Sequence, residues 1–145
     1  MKRRGYLLIG FGLALIGCAR GEKKQMMIVP ENAVYYVEVV SSDVPVTRAL
    51  YEKAYGWHFE PKSELGNAFV APLPNGSRFG IRAPLRPDEA PIVRTYLRVK
   101  DIDRAAKAAE ELGAKVALES TEIPGQGKVA IYLLGGIEQG LWQLP

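Results

Sequence analysis

The stretch RTYLRVKDIDRAAKAAEELG, residues 94–113, decides the fold because its plan occurs twice in the chain. It starts with alternating apolar and polar residues, passes through Asp101 into an amphipathic run, and ends at Gly113. This plan predicts a strand, a helix N-cap, a helix and a left-handed helix end. The stretch YVEVVSSDVPVTRALYEKAYG, residues 36–56, repeats the plan, and its Asp43 also comes seven residues after the strand begins.

Outward from these two stretches, each copy continues into three further strands. The expected strands of the first copy are residues 35–40, 57–60, 67–73 and 77–82. Those of the second copy are residues 93–99, 115–118, 128–133 and 137–144. The order βαβββ therefore occurs twice, in modules of about residues 33–84 and 91–145 joined by a linker with three prolines. It predicts one α+β domain, residues 33–145.

Apolar spacing predicts which face of each helix is buried. In the first helix, the apolar face comprises Val46, Ala49, Leu50 and Ala54. In the second helix, it comprises Ile102, Ala105, Ala106, Ala109 and Leu112.

Residues 1–17 are typical of a bacterial export signal, with Lys2, Arg3 and Arg4 ahead of an apolar run. The run is shorter than the roughly 20 residues that a membrane-spanning helix needs. It ends in Leu15-Ile16-Gly17-Cys18, which resembles the lipobox of bacterial lipoproteins. That resemblance implies cleavage before Cys18 and lipidation of its thiol, with residues 18–32 as a flexible tether. The alternative is that Cys18 is a small buried residue of an uncleaved helix.

The predicted signal also explains the net charge. The 145-residue chain has a formal charge of +3, and the three N-terminal cations supply all of it. The mature chain is formally neutral, so its composition gives no argument for binding nucleic acid. A lipid-anchored protein of the cell envelope, facing outside the cytoplasm, is the expected location. The residue after Cys18 is Ala, which resembles the pattern that directs lipoproteins to an outer membrane where the cell has one.

Six further motifs resemble the vicinal oxygen chelate superfamily, which includes glyoxalase I, bleomycin resistance proteins and extradiol dioxygenases. They are Arg48-Ala49-Leu50-Tyr51, Ala54-Tyr55-Gly56-Trp57, Asp101-Ile102-Asp103, Glu111-Leu112-Gly113-Ala114, Ile123-Pro124-Gly125 and Gly140-Leu141-Trp142-Gln143. The resemblance covers residues 33–145. It implies a glyoxalase-like fold, in which two tandem βαβββ modules form a curled mixed sheet around a cavity and the helices lie outside.

Metal-dependent members of that superfamily take ligands, usually His, Glu or Gln, from the first and last strands of each module. The matching positions in this chain are Tyr36, Gly80, Arg94 and Gly140. None is a usual ligand, since glycine has no donor atom and a guanidinium repels a cation. A one-residue shift would bring in Gln139, but it would also exchange the two faces of the strand. We therefore predict no metal, no cofactor and no catalytic residue, and a structural role for the single histidine, His58.

Strand alternation predicts the residues on the cavity side of the sheet. They are Tyr36, Glu38, Arg78, Arg82, Arg94, Tyr96, Arg98, Glu138 and Trp142. This wall is aromatic and charged, with more arginine than glutamate, and the glycines at the ligand positions would leave room for a guest. We expect it to bind a small molecule without a metal, and the arginines favour an anionic one.

Two other functions are compatible with the sequence. One is a metal-dependent lyase or dioxygenase of the same superfamily. The other is a protein-interaction module, in which the glutamates neutralise the arginines and the open sheet face packs on another protein or forms a homodimer.

Overall fold

The computed structural model describes residues 27–145. The predicted signal peptide, Cys18 and most of the predicted tether lie outside the described residues. Within 27–145, no helix is long and apolar enough to cross a membrane. The end of the predicted tether belongs to the folded domain, because Val29 is buried and the backbone N–H of Asn32 donates to the carbonyl of Arg98 at 2.7 Å.

The described residues form one mixed eight-stranded sheet with two α-helices, as the repeat predicts. The first module comprises β1 Val34–Val40, α1 Val44–Tyr55, β2 Glu60–Lys62, a 3-10 turn Ser63–Leu65, β3 Ala68–Pro72 and β4 Arg78–Arg82. The second comprises β5 Ile92–Arg98, α2 Ile102–Glu111, β6 Lys115–Ile123, β7 Gly127–Leu134 and β8 Ile137–Gln143.

The strand order β2-β3-β4-β1-β5-β8-β7-β6 places the two modules side by side. In each module the first strand pairs with the last strand in parallel, β1 with β4 and β5 with β8. The modules join where β1 and β5 pair antiparallel, with Tyr36 opposite Tyr96 and Glu38 opposite Arg94. This β1–β5 seam brings the predicted cavity residues of both modules together.

Both predicted caps start their helices. Asp43 accepts from the N–H of Val46 at 3.1 Å, and Asp101 accepts from the N–H of Arg104 at 3.0 Å. Each carboxylate thereby satisfies an N–H group that has no partner inside its helix. At the other end of α1, Gly56 has φ +67°, a left-handed conformation that glycine adopts without steric cost.

The predicted apolar face of α1 is wrong. Val46 is 65% exposed and Leu50 is 60% exposed, whereas Tyr51 turns inward. The ring of Tyr51 stacks on Trp57 at a centroid distance of 5.4 Å and contacts Phe79 at 4.7 Å. Burying this aromatic cluster sets the rotation of the helix, because large rings bury more surface than the aliphatic stripe would.

The face of α2 is closer to its prediction, with one exception. Ile102 is fully buried, and Ala105 and Ala106 pack beside it against the sheet. Leu112 is exposed because the helix ends before it, at Glu111.

Two strand boundaries also differ from the prediction. The strand expected at residues 57–60 lies at Glu60–Lys62 and contains Pro61, which an edge strand tolerates because its outer N–H groups need no partner. Trp57 and Phe59 instead pack into the core. Strand β6 continues to Ile123, well beyond the predicted end at residue 118.

Candidate functional site

A cavity of about 680 Å³ lies against the β1–β5 seam, and we call it the central cavity. Seven of the nine predicted site residues line it: Tyr36, Glu38, Arg82, Arg94, Tyr96, Glu138 and Trp142. The cavity wall also includes Glu64, Leu65, Leu85, Arg86, Asp88, Glu89, Ala117, Leu118, Ile123, Val129 and Ile131.

Glu38 is the centre of the polar network in the cavity, and it is buried. One carboxylate oxygen accepts from Nε of Arg82 at 2.6 Å. The other accepts from Nη1 of Arg94 and from the hydroxyl of Tyr96, the latter at 3.1 Å. A single carboxylate from the first module thus joins two arginines, one from each module, and its charge is fully paired.

Arg82 is held from its other side by the linker between the modules. Its Nη1 and Nη2 donate to the two oxygens of Glu89 at 2.9 and 2.8 Å, a bidentate pair. The N–H of Leu85 donates to the same carboxylate at 2.7 Å. These hydrogen bonds, from Arg82 above all, lower the pKa of Glu89 to about 2. Glu89 was not predicted from the sequence, because a glutamate in a proline-rich linker carries no periodic signal.

Arg94 is held by the second module through Glu138. Nε of Arg94 donates to Oε2 of Glu138 at 2.9 Å, and Nη2 donates to the same oxygen. Burial opposes the positive charge of Arg82 and Arg94, but their carboxylate partners hold the pKa of both guanidinium groups above the ordinary value. Both arginines therefore stay charged. Carboxylates of the protein already contact the two guanidinium groups that were predicted to bind a ligand.

The balance of charge on the wall differs from the prediction of more arginine than glutamate. The central cavity is lined by five carboxylates and three guanidinium groups. Strand alternation did not predict this excess of carboxylates, because Glu64, Asp88 and Glu89 lie outside the strands. These acids are Glu38, Glu64, Asp88, Glu89 and Glu138, and the cations are Arg82, Arg86 and Arg94.

Tyr36, Tyr96 and Trp142 form one packed cluster at the floor of the cavity. Their ring centroids lie 5.1 to 5.7 Å apart, and all three residues are buried. Burial, followed by the charge of Glu38, raises the pKa of both tyrosines, so they are neutral phenols.

The glycines opposite these rings do not leave room for a guest, contrary to the prediction. A Cβ at Gly80 would lie 1.7 Å from the hydroxyl oxygen of Tyr36, and one at Gly140 would lie 2.3 Å from the ring of Tyr96. Each glycine is therefore needed for a tyrosine of its own module to lie across the neighbouring strand.

Arg78 and Arg98 share the predicted face but do not line the cavity. Arg98 donates to the backbone carbonyl of Val29 and holds the N-terminal segment. Arg78 donates to the side-chain oxygen of Gln126 at 2.7 Å, and the amide of Gln126 donates to Glu64 at 3.0 Å. Gln126 therefore connects the two modules, a contact that the sequence did not reveal.

The four positions that match the family's metal ligands do not suit a metal. In the structure, Tyr36 lies over Gly80, Arg94 is bound by carboxylates, and Gly140 lies against Tyr96. Because Gly140 pairs with Tyr96, Gln139 lies on the opposite face, where it donates to the carbonyl of Thr95 at 2.7 Å. Among residues 27–145, no three His, Cys, Asp or Glu side chains form a group that could hold a metal ion. His58 is exposed and does not line the cavity.

The architecture is similar to that of methylmalonyl-CoA epimerases. The enzyme from Mycobacterium tuberculosis matches with a TM-score of 0.62 and 16% identity, over 84% of this chain and 95% of the epimerase. A variant of the Streptomyces coelicolor epimerase in complex with 2-nitronate-propionyl-CoA gives a TM-score of 0.55 and 16% identity, over 79% and 99%. A hypothetical protein from Bacillus halodurans gives 0.63 and 11%, over 78% and 94%.

No family model and no curated protein matches the sequence. At the identities of the solved structures, the similarity shows the fold alone. It confirms the glyoxalase-like fold of two βαβββ modules in one mixed sheet that the repeated plan predicts.

Proposed function

We propose that this glyoxalase-like domain binds a small organic molecule in the central cavity without a metal ion. The observation that supports it most is the size and lining of the cavity. Its volume of about 680 Å³ is that of a site for a small organic ligand. Leu65, Leu118 and Ile131 offer an apolar wall, and the Glu38 network offers polar groups beside it.

The network also supports a site that is rigid before the ligand arrives. Glu38, Arg82 and Arg94 are buried, and hydrogen bonds on several sides fix their side chains. A site that is already ordered loses little conformational entropy when it binds a ligand. We propose binding without a metal because Tyr36, Gly80, Arg94 and Gly140 occupy the four positions that match the family's metal ligands.

The size of the cavity supports a small molecule, but it does not set the charge of that molecule. The anion favoured by the sequence would bind at Arg94. There it would lie beside Glu38 and Glu138, because every nitrogen of Arg94 already donates to one of these carboxylates.

Native mass spectrometry of the gently purified protein, with metal analysis of the same sample, tests the proposal. We expect a co-purified organic molecule and no stoichiometric divalent metal. Ala117→Trp places a large ring in the cavity lining and should abolish the extra mass, whereas Ala108→Trp, on an exposed position of α2, should not. One metal ion per chain would refute the metal-free part, and extra mass that survives in Ala117→Trp would refute the cavity as the site.

A protein-interaction module is the second candidate, and the exposed side of α1 favours it. Val46 and Leu50, four residues apart and so on the same face of that helix, are 65% and 60% exposed. Apolar side chains grouped in this way are typical of contact surfaces. A second copy of the chain bound there would appear as a dimer in sedimentation, and Leu50→Glu would return it to the monomer.

We further propose that the domain is tethered to a membrane through a lipid on Cys18. The basic start of the chain, the short apolar run and the lipobox-like Leu15-Ile16-Gly17-Cys18 support this. Cys18→Ser should move the protein from the membrane fraction to the soluble fraction. An unchanged distribution would count against the tether.

A further inference from the structure

The charges in the central cavity indicate which class of molecule it takes, an inference that rests on the proposed function. Its inner part carries one more carboxylate than guanidinium. Glu38, Glu89 and Glu138 are the acids, and Arg82 and Arg94 are the cations that they contact. In a site partly shielded from water, an excess negative charge favours a cationic guest.

Every nitrogen of both arginines already donates to a partner. Arg82 donates to Glu38, Glu89 and the carbonyl of Ala83. Arg94 donates to Glu38 and Glu138. An anionic guest at either guanidinium would therefore lie beside the carboxylates that already pair with it, and their negative charge would repel it.

One acceptor atom on the cavity lining is free. Within the described part of the chain, Oε1 of Glu138 has no hydrogen-bond partner, and the Glu138 side chain is 36% exposed. A carboxylate oxygen accepts hydrogen bonds from N–H groups.

We infer that the central cavity takes an organic cation, a molecule with an apolar body and a protonated amine end. The amine meets Oε1 of Glu138 and offsets the excess negative charge. The apolar body lies along Leu65, Leu118 and Ile131. The position of Glu138 on β8, beside Arg94, holds its carboxylate in place for this contact.

Three probes with the same phenethyl body test the inference: phenethylamine, phenethyl alcohol and hydrocinnamate. Their dissociation constants are measured by saturation-transfer NMR on the purified full chain, with Ala117→Trp as the background sample. We expect phenethylamine to bind at least about fivefold more tightly than hydrocinnamate, as for a partly exposed ion pair. Glu138→Gln should remove this preference, whereas Glu111→Gln, an exposed change on α2 outside the cavity, should keep it.

The other outcomes overturn the inference in distinguishable ways. Tighter binding of hydrocinnamate makes the ligand an anion. Equal binding of the alcohol and the amine keeps the cavity as a binding site but removes the charge preference. If no probe binds in a way that Ala117→Trp blocks, both the inference and the proposed function fail for this ligand size. Circular dichroism checks the fold of Glu138→Gln. If that variant does not fold, the ratio of the wild-type dissociation constants for phenethylamine and hydrocinnamate decides whether the cavity prefers a cation.

Discussion

The two modules share a backbone plan but carry different side chains where they meet. With the capping aspartates aligned, Tyr36 of the first module corresponds to Arg94 of the second, and Glu38 corresponds to Tyr96. The antiparallel seam sets Tyr36 opposite Tyr96 and Glu38 opposite Arg94. One pairing is therefore aromatic and the other is an ion pair, although the repeat makes the two pairings equivalent. The difference shows how a symmetric scaffold produces a single asymmetric site.

The closing strands show the same contrast. Gly80 and Gly140 are equivalent and identical, whereas Arg82 of β4 corresponds to Trp142 of β8. The first module thus contributes a buried charge where the second contributes a buried ring. Charge and ring come together only because the seam joins the modules, so the site belongs to neither module alone.

Replacing Glu38 should have the largest effect, because the carboxylate contacts both arginines. Glu38→Gln leaves two buried guanidinium groups with one partner fewer, and we expect a loss of about 3–5 kcal/mol of unfolding free energy. At the equivalent position, Tyr96→Phe removes one hydrogen bond and should cost about 1–2 kcal/mol. Urea unfolding followed by tryptophan fluorescence measures both. Equal costs for the two variants would mean that the ion pairs of Glu38 contribute no more than its hydrogen bond from Tyr96.

The two equivalent glycines should lose similar stability on replacement by alanine but differ in whether a Tyr→Phe change relieves the clash. Both changes overpack the floor of the cavity, and we expect a loss of about 1–3 kcal/mol for each. The clash at Gly80 is closest to the hydroxyl of Tyr36, so Tyr36→Phe should relieve part of it. The clash at Gly140 involves the ring carbons of Tyr96, so Tyr96→Phe should relieve none. Double-mutant cycles by thermal unfolding give the two coupling energies, and equal couplings would contradict this packing.

Much of the fold could be predicted because its signals are local. The caps Asp43 and Asp101 and the turn at Gly56 are read from neighbouring residues. The site was only partly predictable, since alternation gives the face of a strand but not the partners of its side chains. Glu89 and Gln126 reach the network from a linker and a turn, which have no period. The five-to-three balance of acids over cations was therefore not visible in the strands alone.

Glu89 should make the stability of the network depend on pH. Its pKa is about 2 in the folded protein against an ordinary value of 4.5, so the folded state favours the ionised carboxylate. The resulting stability is complete above about pH 4.5 and is lost as the pH falls towards 2. Glu89→Gln should cost about 1–2 kcal/mol at neutral pH, and the difference from wild type should shrink over that range. Urea unfolding across the pH range measures it, with Glu111→Gln, which removes an exposed carboxylate outside the cavity, as the matched control.

The smallest predicted change in stability concerns helix α1. Comparison with α2 shows which face of α1 is buried. The buried positions of α2, at Ile102, Ala105 and Ala106, are equivalent to Val44, Thr47 and Arg48 of α1. None of these three belongs to the apolar stripe predicted from α1 alone. The repeat was therefore a better guide to burial than the apolar spacing of a single helix.

Two valines on the same turn of α1 test this correction. Val44 packs against the core, whereas Val46 is mostly exposed. Val44→Ala should cost about 1 kcal/mol through lost burial, and Val46→Ala should change stability by less than about 0.5 kcal/mol. Because the substitution is the same, differences in helix propensity between the two sites are small. Thermal unfolding compares them directly, and a larger loss at Val46 would restore the face predicted from α1 alone.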